Sequence, residues 1–440
     1  MEKQHNIYIS FIIVLSIILI FGGCSKSTDD GDSTADINGS VEQINGITVL
    51  RLWGSHEEMG YAYGKLLAND LVDLIENFLF GTLIDSLPPG VTYENIVELM
   101  NEQILYPESG YLVELQAIVE GIEDTLGELP WIVSNRIESD SAQLSYEMFA
   151  IVNASRDLVD LSTGCSSFAA WGSATGDGKT RTGGNMDVAD EGQNILSMNY
   201  SILIVRKPDY GYATVSSGFI GFIGTSRAMN ETGVVTNMQG METPWVDVCG
   251  NCYSALIFRK AIETISSGPN MVDDVVEFFE NHTRCGSSNI LFAQKSPTWA
   301  NPTNDQMAAV IEQDYDGITA RFHSDNWVSD TLNDTLAADA IIATNHYLVR
   351  PYQGGFEPDS SSLKRYNDMT DLIMSRTISR LTDMQAVLQA AAAGTRTTNT
   401  MYFEPDDGLI HVAFRSESDP PAPFMTPVTF TWTELFAPVP

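Results

Sequence analysis

The stretch Thr163-Gly164-Cys165-Ser166-Ser167-Phe168-Ala169-Ala170-Trp171-Gly172 constrains this chain more than any other. Residues 166–171 read as a short apolar strand, Gly176-Asp177-Gly178-Lys179 as a turn, and Thr180 to Asp187 as a returning strand. That hairpin sets Cys165 at the start of one strand and Asp187 near the same end of its partner. A thiol directly after a glycine can attack the glycine's carbonyl, shift the peptide to a thioester and let water cleave it. Gly164, with no side chain, tolerates the unusual backbone angles such an attack demands. The released Cys165 then holds nucleophile and base in one residue. Thiols titrate near ~8.5 and α-amines near ~8, so the amine can take the thiol proton around neutral pH. No histidine is required.

Gly164-Cys165-Ser166-Ser167-Phe168, Gly176-Asp177-Gly178 and Gly183-Gly184-Asn185-Met186-Asp187 resemble the start of the mature chain in N-terminal-nucleophile (Ntn) hydrolases. The branch they resemble is that of the isopenicillin-N acyltransferase-like peptidases (family C45), with choloylglycine hydrolases as relatives. The string from Gly54 to Gly64 is similar to the opening of C45 precursors, and separated motifs extend the resemblance from about Ile44 to Phe414. It implies an α+β fold, the Ntn αββα sandwich, preceded by a mainly helical pro-segment that stays bound after cleavage and shapes the pocket. The segments are then a tether over 25–43, a pro-segment over 44–164 and a catalytic chain over 165–440. Met229-Asn230-Glu231 and Gly233, followed by a strand, resemble a signature of the Ntn relatives, and the resemblance implies an oxyanion donor at Asn237, with Gln239 as the alternative. Ala343-Thr344-Asn345 gives Asn345 the second donor or a substrate contact. Arg365 is read as structural. Thr395-Arg396-Thr397 resembles a family loop whose arginine holds Asp187 or the substrate acid. A guanidinium there keeps the carboxylate ionised, so that it orients the α-amine of Cys165. There is one departure. Choloylglycine hydrolases carry Gly-Arg-Asn-x-Asp, but Gly184 stands in the arginine's place; the acyltransferase branch also lacks that arginine. Bile-salt specificity is thereby disfavoured, and the open position leaves room for substrate.

The N-terminus carries an apolar run from Ile7 to Phe21, then Gly22-Gly23-Cys24-Ser25. That reads as an export signal ending in a lipidation site at Cys24, with a transmembrane anchor as the alternative. Residues 25–43 are polar and acidic and read as a tether. Overall, 58 acidic residues against 23 basic give a net charge of −35, which repels nucleic-acid phosphates. Ser55 and Glu58 form a capping box opening a helix, and Gly60 and Gly64 lie one turn apart on it, as tight helix packing requires. Apolar spacing of three and four continues the helical reading to Leu161. Without cleavage, this block is an ordinary helical domain. Strands are expected over 202–205, 212–215, 219–223, 289–293, 307–312, 409–414 and 428–436, with a helical pair over 253–281. Cys249-Gly250-Asn251-Cys252 lacks the second pair that zinc needs, so one disulfide among Cys249, Cys252 and Cys285 is expected, with no metal and no cofactor. His346 reads as a packing residue.

The function expected is a self-processing, lipid-anchored extracytoplasmic hydrolase of N-acylated small-molecule amides, working through a thioester. The alternatives are an acyltransferase to a small amine and an unprocessed ligand-binding lipoprotein.

Overall fold

The computed structural model describes residues 37–440 except 88, 102–106, 156–163, 189–195, 242–252, 283–285, 326–335, 337, 352–359, 438 and 440. The expectations on Cys24, Cys249, Cys252 and Cys285 therefore lie outside the described residues. Among those described, no helix is long and apolar enough to cross a membrane.

The strands, in chain order, begin with β1 Gly39–Ile44, β2 Ile47–Gly54, β3 Trp131–Val133, β4 Ser141–Gln143, β5 Cys165–Trp171 and β6 Gly178–Asp187. Next come β7 Ser201–Pro208, β8 Thr214–Phe219, β9 Arg227–Asn230, β10 Val234–Gly240, β11 Ser288–Gln294 and β12 Ala308–Asp314. The last are β13 Gly317–Phe322, β14 Ala340–Ala343, β15 Thr397–Glu404, β16 Leu409–Phe414 and β17 Val428–Thr431. One large sheet orders β1-β2-β7-β8-β9-β10-β11-β12-β13 and a second β14-β5-β6-β15-β16-β17. Pairing within both is antiparallel apart from the parallel pair β2–β7.

The two-residue period of a strand builds the layers. On β15, Met401 and Phe403 face the other sheet and pack with Val205, Val215 and Met229, while Tyr402 points outward. On β5, Ala169 and Trp171 meet Leu291 and Val310 across the sheets. Phe168 and Ala170 instead face the helices Ser360–Ser375 and Leu381–Ala390. The opposite outer layer is the pair Ser254–Thr264 and Met271–Glu280, whose Phe258, Val275 and Phe279 cover Val234, Ile290 and Ile311. Helix, sheet, sheet, helix is therefore the layer order. Both faces of the inner sheets are covered, and strands such as Ser201–Pro208 and Ser288–Gln294 accordingly carry apolar residues at consecutive positions.

The residues before Cys165 supply more than helices. Strands β1 and β2 form the edge of the large sheet, joined by Asn45-Gly46 at φ 51° and 85°. Residues 39–43, expected as tether, are thus strand, because an Asn-Gly turn closes the hairpin. His56–Leu66 has the Ser55–Glu58 capping box. A Cβ on Gly60 or Gly64 would lie 2.2 Å from Glu114 O or 2.0 Å from Ile118 O of the helix Ser109–Leu126. Glu114 in turn pairs with Arg259 of Ser254–Thr264 at 2.8 Å, both fully buried. Despite burial, which pushes it up, Arg259 and His56 hold the Glu114 carboxyl down at about 2.

Two strand expectations shift. Residues 220–223 form a turn, because Gly221 sits at φ 83° and its N–H donates to Tyr63 Oη at 2.8 Å. Trp432–Phe436 is a helix, because Thr431 and Glu434 make a capping box that ends β17.

Candidate active site

Four neighbouring strand ends of the smaller sheet carry a row of polar residues. Cys165 opens β5 and Asp187 closes β6. Thr397 opens β15, and Asn345 follows β14 by two residues. In the β5–β6 register Cys165 lies opposite Met186, one residue from Asp187, as the Gly-Asp-Gly turn implies.

The Gly164–Cys165 peptide is gripped from several sides. Gly164 O accepts from Asp187 N at 2.7 Å. Cys165 N donates to Asn345 Oδ1 at 2.7 Å, and Cys165 O accepts from Arg365 Nη1 at 2.5 Å. The same guanidinium donates to Ser166 Oγ at 2.8 Å and to Asn345 Oδ1 at 2.8 Å. Asn345 Nδ2 donates to Gly240 O. The glycine is needed here, but for another reason than the one expected. Gly164 is absent from the glycines with positive φ. What it provides is space: a Cβ would sit 2.7 Å from Asp187 Oδ2.

Asp187 is 1% exposed; its Oδ1 accepts from Thr397 Oγ1 at 2.5 Å, and its Oδ2 has no hydrogen-bond partner. Arg365 Nη1 lies 3.9 Å from Oδ2. Such a pair is worth roughly 4 kcal/mol near a protein surface. Burial nevertheless outweighs it: the carboxyl is pushed above its ordinary value, against Arg365, Thr397, Arg227 and, least, Arg396.

Arg396, expected to hold Asp187, is exposed, and its backbone O accepts from Val188 N at 2.9 Å. Within that Thr-Arg-Thr loop the contact with Asp187 is made by Thr397 instead. The charge beside Asp187 comes from Arg365, the arginine read as merely structural. Asn237 is fully buried on β10, and neither carboxamide atom has a hydrogen-bond partner. Its Oδ1 would lie 2.6 Å from a Cβ on Gly184. Gln239 Nε2 instead donates to Ser167 Oγ at 2.7 Å and only its Oε1 has no partner, which leaves Asn237 as the one of the two whose amide N–H donor is unengaged. His346 has Nδ1 within 3.0 Å of Thr344 Oγ1 and 2.8 Å of Ser362 Oγ. Burial, then Arg321 and Arg365, push its pKa down to about 3, so it is a neutral packing residue at ordinary pH.

Two residues escaped sequence reasoning. Arg227, on β9, places Nη2 3.7 Å from Cys165 Sγ and donates from the same nitrogen to Asn185 O at 2.6 Å. Asn153, at the end of the helix Tyr146–Asn153, donates to Gly221 O at 2.9 Å and accepts from Ile223 N at 2.9 Å. It thereby fixes the turn that walls a cleft over Cys165. The cleft spans about 880 Å³, its open mouth included, and is walled largely by Met186, Val188, Leu196, Phe219, Phe222 and Met238. Cys165 lines it and is itself 4% exposed. Among the described residues, no group of His, Cys, Asp and Glu is arranged to hold a metal ion.

No family model matches the chain. An uncharacterized protein of Archaeoglobus fulgidus is 23% identical over 357 residues, 75% of this chain and 55% of that protein, so the chain spans about half the length of this relative. Among solved structures, a Caenorhabditis elegans ortholog of N-acylethanolamine-hydrolyzing acid amidase overlaps at 12% identity, covering 55% of this chain and 93% of the other, with a TM-score of 0.39. A variant of conjugated bile acid hydrolase from Clostridium perfringens overlaps at 14% identity, over 61% and 93%, with a TM-score of 0.39. Penicillin V acylase from Agrobacterium tumefaciens overlaps at 13% identity, over 58% and 84%, with a TM-score of 0.36.

Proposed function

We propose that this chain is an Ntn amidohydrolase of the C45 type that cleaves itself between Gly164 and Cys165 and then hydrolyses linear amides of N-acylated small molecules. The observation that carries this reading is the clamped Gly164–Cys165 peptide, whose thiol opens into an apolar cleft. Gly164 O already accepts an N–H from Asp187, and the same donor stabilises the oxyanion that forms when Sγ adds to the Gly164 carbonyl. The C–N bond then breaks, leaving a Gly164 thioester on Sγ and a free α-amine on Cys165, and water releases the Gly164 carboxylate.

The amine so formed replaces the N–H that now meets Asn345 Oδ1, with Asp187 beside it. In turnover it takes the thiol proton, Sγ adds to the substrate carbonyl, and the proton goes to the departing amine as the C–N bond breaks. Water, deprotonated by the same amine, resolves the thioester to a carboxylic acid and regenerates the thiol. Asn237 is the oxyanion donor in this scheme, Asn345 orients the amine of Cys165 through Oδ1, and the cleft takes the acyl group. Residues up to Gly164 stay bound through β1, β2 and the Glu114–Arg259 pair.

Intact-mass analysis with N-terminal sequencing of wild type and Cys165→Ala tests the reading. Two fragments in wild type, one beginning at Cys165, and a single chain in the variant support it; a single wild-type chain removes the amine and refutes it. Adding a competing amine during turnover of N-acyl amino acids separates hydrolysis from acyl transfer. The proposal includes an envelope location through lipidated Cys24, for which labelled palmitate incorporation must disappear in Cys24→Ala.

A further inference from the structure

A buried cation, Arg227, lines the cleft, and the acid that acts on it, Asp187, lies beyond ion-pair distance. Arg227 is 1% exposed, and among the described residues no carboxylate lies within ion-pair distance of it. Its Nε and Nη1 have no hydrogen-bond partner. A buried guanidinium in that state is unfavourable unless something anionic or strongly accepting meets it. The group that Nη2 does approach is Cys165 Sγ, at 3.7 Å.

Gly184 explains how the arginine comes to be there. A Cβ on that residue would point at Asn237 Oδ1, 2.6 Å away, and at Arg227 Nε, 3.3 Å away. The direction a side chain would take from β6 is therefore occupied by Asn237 from β10 and Arg227 from β9, both on the facing sheet, with Ser166 O 3.2 Å away. Choloylglycine hydrolases, on the resemblance described, carry arginine at the Gly184 position. The open position predicted to leave room for substrate is filled by this chain's own Asn237 and Arg227.

We infer that Arg227 is a catalytic residue: supplied from the opposite sheet in place of an arginine at 184, it holds Cys165 Sγ in its anionic form and offers Nη1 to the carbonyl oxygen of the bound acyl group. This deepens the proposed hydrolase reading and rests on it for the second role. The first role concerns the sulfur alone. Nη2 keeps its bond to Asn185 O throughout, which fixes the guanidinium against β6. Asn185 is itself anchored by Leu388 O at 2.8 Å and Thr400 Oγ1 at 2.8 Å, so a backbone carbonyl, with no carboxylate in direct contact, holds the cation in place.

The test compares wild type, Arg227→Gln, Arg227→Lys and the exchange Gly184→Arg/Arg227→Gly. Each is read for iodoacetamide labelling of Cys165 at pH 6.5 and pH 9, for kcat/KM on an N-acyl amino acid, and for thermal unfolding. Expected are labelling at least tenfold slower in Arg227→Gln at pH 6.5 but not at pH 9, a smaller loss in Arg227→Lys, and recovery of at least tenfold in the exchange relative to Arg227→Gln. The kcat/KM of Arg227→Gln should fall by roughly 100-fold, in the range seen on removing one oxyanion donor. Equal labelling of folded wild type and Arg227→Gln at pH 6.5 overturns the assignment, and so does failure of all variants, the exchange included, to fold. If wild type hydrolyses no amide while the labelling difference stands, the enzyme reading fails and the thiolate contact survives.

Discussion

Gly164→Ala separates a steric requirement from a backbone one. The backbone at Gly164 is not left-handed, so alanine meets no φ penalty there. The added methyl would instead lie 2.7 Å from Oδ2, 3.1 Å from Cβ and 3.4 Å from Cγ of Asp187. Against ordinary contact distances that is roughly 0.5–1 Å too close. Asp187 has little room to retreat, because Oδ1 is tied to Thr397 and its own N–H to Gly164 O. Relief must come from shifting the carboxylate or opening the β5–β6 end. Overpacking of this kind costs about 1–3 kcal/mol of stability. A misplacement approaching 1 Å slows an oriented reaction by about 100-fold. A time course of intact mass after expression should therefore show Gly164→Ala processing at no more than about a hundredth of the wild-type rate, with a modest drop in melting temperature. Removing the obstruction checks the cause: Gly164→Ala/Asp187→Ala should regain melting temperature without regaining cleavage. Wild-type processing in Gly164→Ala, or no recovery of stability in the double variant, would refute the steric account.

Other expectations follow from the same contacts. Arg365→Ala removes the charge beside Asp187 and three donors around Cys165, so processing should fail, whereas Arg396→Ala should process within about twofold of wild type by the same mass assay. Gly64→Ala forces a methyl onto Ile118 O and should lower the urea midpoint by an amount equivalent to about 2 kcal/mol, even though alanine favours helix by up to about 1 kcal/mol. For His346 the folded pKa of about 3 lies below the unfolded value near 6.5, so the unfolded chain takes up a proton first as pH falls. Stability from this residue is full above ~6.5 and is lost toward pH 3, by on the order of 5 kcal/mol; His346→Asn should flatten that slope in urea titrations between pH 7 and 4.

What could be read from the sequence was local. Gly176-Asp177-Gly178 fixes a hairpin, and a hairpin fixes which residues face each other, so it sets Cys165 beside the end of the strand that carries Asp187. The Ser55 capping box and the Gly60–Gly64 close approach are likewise carried by neighbours in sequence. Two misread segments had local signals that went unused: Asn45-Gly46 marks the β1–β2 turn, and Thr431 with Glu434 marks the helix that ends β17. The arginines are a different matter. Arg365 reaches Cys165 O across 200 positions from a helix on the outer face, and Arg227 reaches Sγ across 62 from the facing sheet. Nothing in Ser226-Arg227-Ala228 or Lys364-Arg365-Tyr366 says where a guanidinium will end, because a long side chain is aimed by the layer packed behind it.

Gly184 shows how the two kinds of information combine. Taken alone, a glycine in place of an arginine reads as a lost charge and an open space. Yet the strand facing it must bury something against that backbone, and a sandwich interior tolerates few voids. An arginine two residues before Met229-Asn230, on the strand beside the one carrying Asn237, is positioned to fill it, since Arg227 pairs with Asn237 across β9 and β10. The glycine and the arginine are one packing unit spread over two sheets. A chain with Gly184 but an apolar residue at 227 would have a cavity beside its thiol and no cation in contact with it, and the same reasoning makes it a poor nucleophile.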